Sequence, residues 1–197
     1  MERNNKKRVA NGLLVCGVLL ILAGLGIFLY MQTAQKKAGQ QIGVYVEQLQ
    51  QNIPQVRDVF EEERTDMDMP VMEVSGEDFV GILEVPVYGA VFPIGDEWEN
   101  DIIVKYPCRY WGSLYDGSLI IGGSAGEGQL EFVEDISIGD IIQITDMTGA
   151  RYSYEVSWVE KVKELSKEYL ENLEVEMVIF TKNQYRFDYT VVQCNVD

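Results

Sequence analysis

The sequence predicts a mainly β domain that follows a stalk helix and an N-terminal transmembrane helix. Three observations support this: an uncharged apolar run near the N-terminus, apolar residues at helical spacing after it, and short β-rich runs from Phe79 onward. With 197 residues, the chain can form one core-forming domain beside the apolar run, and a second full domain is not expected.

The apolar run is Gly12–Met31, which contains 20 residues without a charge. At about 1.5 Å per residue, a helix of this length crosses roughly 30 Å of hydrocarbon. The alternative is a cleaved signal peptide, whose apolar region would be shorter and would end at a small-residue cleavage site. Because this run closes on Leu29, Tyr30 and Met31, we predict a membrane anchor.

The basic residues around the run predict its orientation. Four of them precede it, and only Lys36 and Lys37 follow it closely. This excess places residues 1–11 in the cytoplasm and residues 32–197 outside the cell membrane. Cys16 lies within the run, and Val15 before it is not the small residue of a lipoprotein site, so we predict an apolar helix residue there.

Residues 32–76 are predicted to form a stalk helix and an acidic linker. A helical stripe of apolar residues before Pro54 predicts a face that packs on the core rather than on a partner. The linker, Glu61–Gly76, is weakly patterned, and its Asp66 and Asp68 do not predict a calcium site, which needs six or more oxygen ligands. The stripe consists of Ile42, Val46, Leu49 and Ile53.

The charge distribution limits the kinds of partner that this protein can bind. The whole chain carries a formal charge of −16, and residues 32–197 hold 31 acids against 12 bases, which gives −19. Such a domain repels nucleic acid and anionic lipid surfaces at long range. We therefore expect cationic, neutral or peptide-like partners and no nucleic acid.

The domain itself, residues 77–197, contains seven short β-rich runs separated by Gly, Asp and Pro. Seven strands in so short a segment predict a closed or sandwiched β-structure. Two short helices are expected, near Gln129–Ile136 and Ser166–Leu173, and a hairpin turn at Asp146–Gly149. The runs are FVGILEVPVYGAVFPI, DIIVKY, SLIIGG, DIIQITDMTG, RYSYEVSWVEKV, EMVIFT and FDYTVVQC.

Four longer segments follow one another from Phe79 to Cys194 without a large gap. They are FVGILEVPVYGAVFPIGDEW, YPCRYWGSLYDGSLIIGGS, EFVEDISIGDIIQITDMTGARYSYEV and VIFTKNQYRFDYTVVQC. In this order they resemble the sortase family, especially the class B-like sortases of Gram-positive bacteria. The resemblance implies a sortase-like closed β-barrel of seven to eight strands with short helices.

The resemblance also implies a chemistry, in which a cysteine thiolate attacks a peptide bond of a sorting signal and an amine resolves the thioester. That reaction needs an activated sulfur, a proton carrier and a donor for the developing oxyanion. Carried over by position, the family's histidine falls on Ser124, its cysteine on Lys182 and its arginine on Tyr189. All three catalytic residues are therefore substituted, and no catalytic residue of the family is predicted here. The loss of histidine does not depend on the alignment, because the chain contains no histidine at all.

One enzymatic alternative remains open, because Ser124 and Lys182 would face each other across the cleft of a sortase fold. A serine with a desolvated lysine as its base is a catalytic pairing. The acidic surroundings favour a charged lysine instead, so we expect that both positions drifted once catalysis was no longer selected.

Cys108 and Cys194 are the two cysteines outside the apolar run, and they are candidates for a disulfide in an oxidising exterior. Two separate buried thiols fit the sequence equally well. The aromatic residues Tyr110, Trp111, Tyr115 and Trp158 could line a peptide groove, although packing between strands is the more common role of such residues.

Three functions are compatible with these features. The first is an inactive sortase homologue at the cell surface that binds a sorting-signal peptide, a pilin or an active sortase. The second is a transpeptidase or hydrolase that uses Ser124 and Lys182. The third is a structural surface domain whose groove is filled. No cofactor and no metal ion is expected in any of them.

Overall fold

The structure is a computed structural model that describes residues 16–28, 41–59, 68–98, 105–126, 129–183 and 188–196. The chain divides into two units, Met1–Lys37 and Ala38–Asp197. In the first unit, helix α1 covers residues 16–28, and its large apolar side chains are exposed. The rest of the predicted transmembrane run, residues 12–15 and 29–31, lies outside the described residues. Among the described helices, none is long and apolar enough to span a membrane.

The second unit begins with helix α2, residues 41–52, within the predicted stalk. Three residues of the apolar stripe, Ile42, Val46 and Leu49, are buried in the main core, and Ile53 packs against that core. The helix ends before Pro54, because a proline disfavours the helical conformation of the residue before it.

Among the described residues, strands and three short helices make up the rest of this unit. The 3₁₀ helices are Pro86–Tyr88 and Leu130–Glu134, and helix α3 is Lys167–Glu171. The strands are β1 (Arg57–Asp58), β2 (Met72–Val74), β3 (Glu77–Val85), β4 (Ala90–Gly95), β5 (Cys108–Trp111), β6 (Leu119–Ser124), β7 (Ile141–Asp146), β8 (Ala150–Val162), β9 (Met177–Lys182) and β10 (Tyr189–Val196).

Eight of these strands form a closed barrel in the order β8-β10-β9-β6-β5-β4-β3-β7. Closure depends on β7, which pairs with β3 on one side and with β8 on the other. The short strands β1 and β2 extend the sheet by pairing with β8 and β3. The predicted mainly β fold and its closed barrel are therefore confirmed.

Side chains alternate across the barrel wall because successive residues of a strand point to opposite faces. In β9, Met177 and Ile179 belong to the large interior core, whereas Val178 and Phe180 belong to a second apolar cluster. Every residue from Met177 to Thr181 is buried. The barrel therefore has apolar packing on both faces of this strand, which explains why its sequence is continuously apolar.

The turn between β7 and β8 lies at the predicted residues Asp146–Gly149. Asp146 is fully buried, and its Oδ1 accepts hydrogen bonds from the backbone N–H groups of Thr148 and Ala150 at 2.8 and 2.9 Å. Gly149 has a φ of 84°, a conformation that side chains with a Cβ rarely adopt. The turn joins two barrel strands, and the carboxylate of Asp146 fixes its backbone.

Both predicted short helices are present at their predicted places, as Leu130–Glu134 and Lys167–Glu171. The Oγ of Ser166 accepts a hydrogen bond from the backbone N–H of Tyr169 at 3.1 Å, which caps helix α3 as expected.

Two segments differ from the sequence-based expectation. In DIIVKY, residues 101–104 lie outside the described residues, and Lys105 and Tyr106 form a turn; the strand comes later, at Cys108–Trp111. Tyr106 turns inward, where its hydroxyl donates to Oε2 of Glu77 at 2.9 Å. Within the predicted linker, Met72–Val74 pair with β3, because an edge strand offers backbone groups that an adjacent segment can satisfy.

Candidate functional site

The barrel brings together, at the ends of three neighbouring strands, the three residues that the resemblance aligns with the family's histidine, cysteine and arginine. Ser124 of β6 is in register with Lys182 of β9, and Lys182 is in register with Tyr189 of β10. Adjacent strands lie about 4.8 Å apart, so the three residues form one row across the sheet. Ser124 and Lys182, which were expected to face each other across a cleft, are therefore side by side on neighbouring strands.

This row lies on the outer face of the barrel. Tyr189 packs with the second apolar cluster, which lies on the outer face and is called the outer cluster below. The next residue, Thr190, is buried on the interior side together with its cross-strand partner Thr181. The hydroxyls of Thr181 and Thr190 have no hydrogen-bond partner in the described part of the chain. Ser124, Lys182 and Tyr189, called the polar row below, thus lie at the rim of the outer face. On the inner face, the neighbouring residues Thr181 and Thr190 are buried.

The environment of Lys182 decides what it can do chemically. Its side chain is exposed, and its Nζ lies 5.9 Å from the ring centroid of the half-buried Tyr189. A lysine that serves as a general base must be desolvated so that it loses its proton near neutral pH. The exposure of Lys182 does not meet this requirement.

Ser124 is half-buried at the end of β6, and its Oγ faces the loop that follows it. A Cβ added to Gly126 would lie 3.4 Å from this oxygen and 3.9 Å from Oε1 of Gln129. The hydroxyl is therefore part of the packing of the loop that begins at the end of β6.

The outer face beside the polar row is covered by the chain itself. The side chains of Ile120, Val178, Phe180 and Val191 are at most 4% exposed. They are buried by residues of the segment that joins β8 to β9, and by Trp98 and Tyr110. The covering residues of that segment are Leu165, Tyr169, Leu170, Leu173 and Val175. Along β6, β9 and β10, the described residues therefore leave no open apolar groove.

Gly122 is a residue of this face that the sequence analysis did not single out. A Cβ added there would lie 2.2 Å from Cζ3 of Trp98 and 2.5 Å from Cζ of Phe180. The rings of Trp98, Tyr110 and Phe180 pack together with centroids 5.2 to 5.4 Å apart. The signal in the sequence is the glycine pair inside the β-rich run SLIIGG, because a glycine within a strand often marks a close approach of other groups.

The four aromatic residues proposed for a groove have different environments. Tyr110 belongs to the outer cluster, and Tyr115 is buried, with its hydroxyl donating to Oδ2 of Asp146 at 2.6 Å. Trp111 is half-exposed and lies under the ammonium of Lys167, 3.5 Å from the ring centroid. Trp158 is 54% exposed. They do not form one common groove.

The two candidate disulfide cysteines are both buried and reduced. Cys108 lies on β5 and Cys194 on β10, with β6 and β9 between them in the sheet. A disulfide requires Cα atoms within about 7 Å, whereas strands three apart are separated by roughly 14 Å along the sheet. The bridge considered from the sequence is therefore not formed, and burial raises the pKa of the Cys194 thiol to about 12.

Metal ligation finds no support in the described part of the chain, where no group of three acidic, cysteine or histidine side chains is arranged to hold an ion.

Searches against protein-family models and among curated proteins find no match. Among solved structures, the chain is similar to Clostridium perfringens sortase C with the C-terminal cell wall sorting motif. The TM-score is 0.55 at 14% identity, over 80% of this chain and 98% of that chain.

Two further solved structures give the same result. The sortase D5 transpeptidase of Clostridium perfringens matches with a TM-score of 0.52 at 16% identity, over 84% of this chain and 99% of that chain. Listeria monocytogenes sortase A matches with a TM-score of 0.52 at 15% identity, over 60% and 87%. At such identities the likeness concerns the fold alone.

Proposed function

We propose that this chain, which has the sortase fold, is a membrane-anchored extracytoplasmic protein without transpeptidase activity that has an accessory, binding role in surface-protein or pilus assembly. The observation that carries the proposal is the row formed by Ser124, Lys182 and Tyr189. These residues occupy the positions that the resemblance assigns to histidine, cysteine and arginine.

The chemistry of this row supports binding rather than peptide transfer. Thioester formation requires a thiolate, and Lys182 stands at the position of the sulfur. The chain contains no histidine that could carry a proton. Cys194 is the cysteine nearest to Lys182 in sequence, but it is fully buried in the barrel interior. Burial raises the pKa of its thiol and keeps it inert.

The covered outer face favours a folded partner. An extended peptide along β9 would have to displace Tyr169 and Leu170, which pack over Val178 and Phe180. A pilin or an active sortase can instead contact the rim and the surrounding surface. A sorting-signal peptide remains a partner to be tested, because one similar solved structure, the Clostridium perfringens sortase C, contains such a motif.

Anchoring is supported by the uncharged run Gly12–Met31 and by the basic residues before it. Attachment to the membrane would hold the barrel beside other surface proteins. A weak binding site becomes effective under such conditions, since tethering raises the local concentration of the partner.

The test uses the full chain in detergent micelles with fluorescent sorting-signal peptides and an amine acceptor. Cleavage, amine transfer and binding are scored together, and an active sortase serves as the positive control. Binding of a pilin and of that sortase is measured in parallel. The variants are Lys182→Ala and Ser124→Ala, with Lys105→Ala as the matched control. We expect no turnover from any variant or from the parent chain, together with binding to at least one of the partners.

Turnover that disappears in both Lys182→Ala and Ser124→Ala but persists in Lys105→Ala would overturn the proposal and establish the Ser–Lys alternative. Failure to bind the peptides, the pilin and the sortase would also contradict an accessory role, and it would favour a structural domain with a filled groove.

A further inference from the structure

A concave site is formed by elements other than the strands that carry Ser124, Lys182 and Tyr189. It is a cavity of about 560 Å³ between helix α2, the 3₁₀ helices Pro86–Tyr88 and Leu130–Glu134, and strand β4. Aromatic rings and carboxylates line it together, on elements that belong to the same unit. Cavities of a few hundred cubic ångströms with a small number of polar groups are typical of ligand sites.

The aromatic wall consists of three rings in a row, Tyr88, Phe132 and Phe92. The centroids of Tyr88 and Phe132 are 6.1 Å apart, and those of Phe132 and Phe92 are 6.0 Å apart. Phe92 and Phe132 are buried, whereas Tyr88 is 37% exposed. Tyr88 is therefore the ring that presents its surface to a ligand.

Hydrogen bonds hold Tyr88 in this position. Its hydroxyl donates to the carbonyl oxygen of Asp135 at 2.7 Å and lies 3.0 Å from Oδ2 of Asp140. Gly89, which follows Tyr88, has a φ of 60° and ends the 3₁₀ helix. Burial and the neighbouring Asp140 raise the pKa of Tyr88.

Two carboxylates line the cavity, those of Glu131 and Asp135, and none of the lining residues is basic. Glu134, in the same short segment, points elsewhere and pairs with Lys161 at 3.2 Å. In the described residues, neither Glu131 nor Asp135 has a Lys or Arg partner. The cavity therefore combines unneutralised negative charge with an exposed aromatic ring.

The wall formed by helix α2 is open at Gly43. A Cβ added to Gly43 would meet no atom within 4 Å. A glycine in a helix costs about 1 kcal/mol relative to alanine, so nothing in the helix itself favours it. The missing side chain leaves space beside the aromatic wall.

We propose that this cavity binds an ammonium group on an aliphatic chain, such as the lysine side chain of a peptide. The ring face of Tyr88 attracts a cation, and the carboxylates of Glu131 and Asp135 complement its charge. The apolar stem of the ligand lies along the aromatic wall, as lysine stems do on apolar surfaces. This proposal goes beyond the proposed function and does not depend on it, because it concerns a different site.

The test measures binding of three probes to the full chain in micelles. They are an uncharged pentapeptide that carries one central lysine, the same peptide with norleucine in place of that lysine, and 1,5-diaminopentane. Norleucine keeps the aliphatic stem and removes the charge. We expect the lysine peptide to bind at least tenfold more tightly than the norleucine peptide. Diaminopentane that binds as tightly as the lysine peptide would identify a free amine as the ligand, whereas weaker binding would identify a peptide segment.

Variants locate the site. Glu131→Gln combined with Asp135→Asn should weaken lysine-peptide binding at least tenfold. Glu168→Gln combined with Glu171→Gln changes the net charge equally and should leave binding unchanged. Gly43→Leu should block the cavity, while Gly43→Ala should retain binding. Circular dichroism melting curves verify that each variant is folded.

Three results would overturn the proposal. The first is equal binding of the lysine and norleucine peptides. The second is an equal loss of binding in the two charge-matched double variants, which would indicate attraction to the acidic molecule as a whole. The third is no binding of either amine probe by a chain whose melting curve shows that it is folded.

Discussion

Burial in the barrel interior determines the reactivity of the Cys194 thiol. Cys194 has no exposed surface, and burial raises the pKa of its thiol from an ordinary value of 9.0 to about 12. A thiol in such surroundings is neither a nucleophile nor a metal ligand. The residue thus contributes to packing of the barrel interior.

The raised pKa of Cys194 predicts a pH-dependent stability. As the pH rises above about 9, the thiol of the unfolded chain ionises first, whereas the folded thiol keeps its proton until about pH 12. The stabilisation is therefore complete below pH 9 and is lost as the pH rises toward 12, by up to about 1.4 kcal/mol per pH unit. Urea unfolding of the parent chain and of Cys194→Ala between pH 8 and 10.5 measures this effect.

We expect the free energy of unfolding to fall more steeply with rising pH in the parent chain than in Cys194→Ala. The tyrosines Tyr106, Tyr115 and Tyr169 also have raised pKa values, chiefly because of burial, and they lower stability at high pH in both proteins. The difference between the two proteins isolates the thiol, and identical slopes would contradict the prediction.

The segment between β8 and β9 is the element that closes the outer face of the barrel. Ser166 caps helix α3, and Leu170 of that helix is 2% exposed against the outer cluster. The helix has only five residues, and so short a helix is not stable by itself. Packing of Leu170 on the barrel therefore holds the helix in place, and the helix in turn keeps Val178 and Phe180 from solvent.

Leu170→Ala should destabilise the protein by about 2–3 kcal/mol, because truncation of a buried leucine removes apolar contacts and leaves a cavity. The exposed Glu168→Ala in the same helix is the control, with an expected change within about 0.5 kcal/mol. Urea unfolding measures both values. Hydrogen exchange should show faster exchange of the amides of Leu170 and Asn172 in Leu170→Ala. Equal losses in the two variants would mean that the helix does not act as a cover.

The whole molecule is strongly acidic, with 32 acidic against 16 basic side chains. Five ion pairs among the described residues neutralise part of this charge, and each involves side chains that are partly exposed. Surface pairs of this kind contribute little, about 0–1 kcal/mol each. Repulsion between the unpaired carboxylates is therefore the larger long-range electrostatic contribution.

Salt should stabilise this protein. Raising NaCl from 10 to 200 mM shortens the Debye length from about 30 Å to about 7 Å and screens the repulsion between distant carboxylates. We expect the midpoint of thermal unfolding to rise by about 2–5 °C, as measured by circular dichroism at pH 7. A midpoint that falls would show that the ion pairs outweigh the repulsion.

Local patterns in the sequence were sufficient for several features of the fold. Alternating and continuous apolar runs predicted most of the barrel strands, because burial on one or both faces dictates these patterns. Asp146 and Gly149 predicted the turn, and Ser166 predicted the cap of helix α3, since these residues satisfy backbone groups within a few positions. The strand at Cys108–Trp111 was missed, because its four residues, CRYW, include an arginine and form neither an alternating nor a continuous apolar run.

By itself, the sequence determined which residues are available for chemistry: no histidine, three cysteines, and Ser124, Lys182 and Tyr189 at the positions that the resemblance assigns to the catalytic residues. Only the tertiary structure decided what surrounds them. The barrel places these three side chains in one row, separates Cys108 from Cys194 by two strands, and folds the segment containing Leu170 over the neighbouring face. These arrangements depend on strand register and on contacts between distant segments, and a short sequence window carries no information about either.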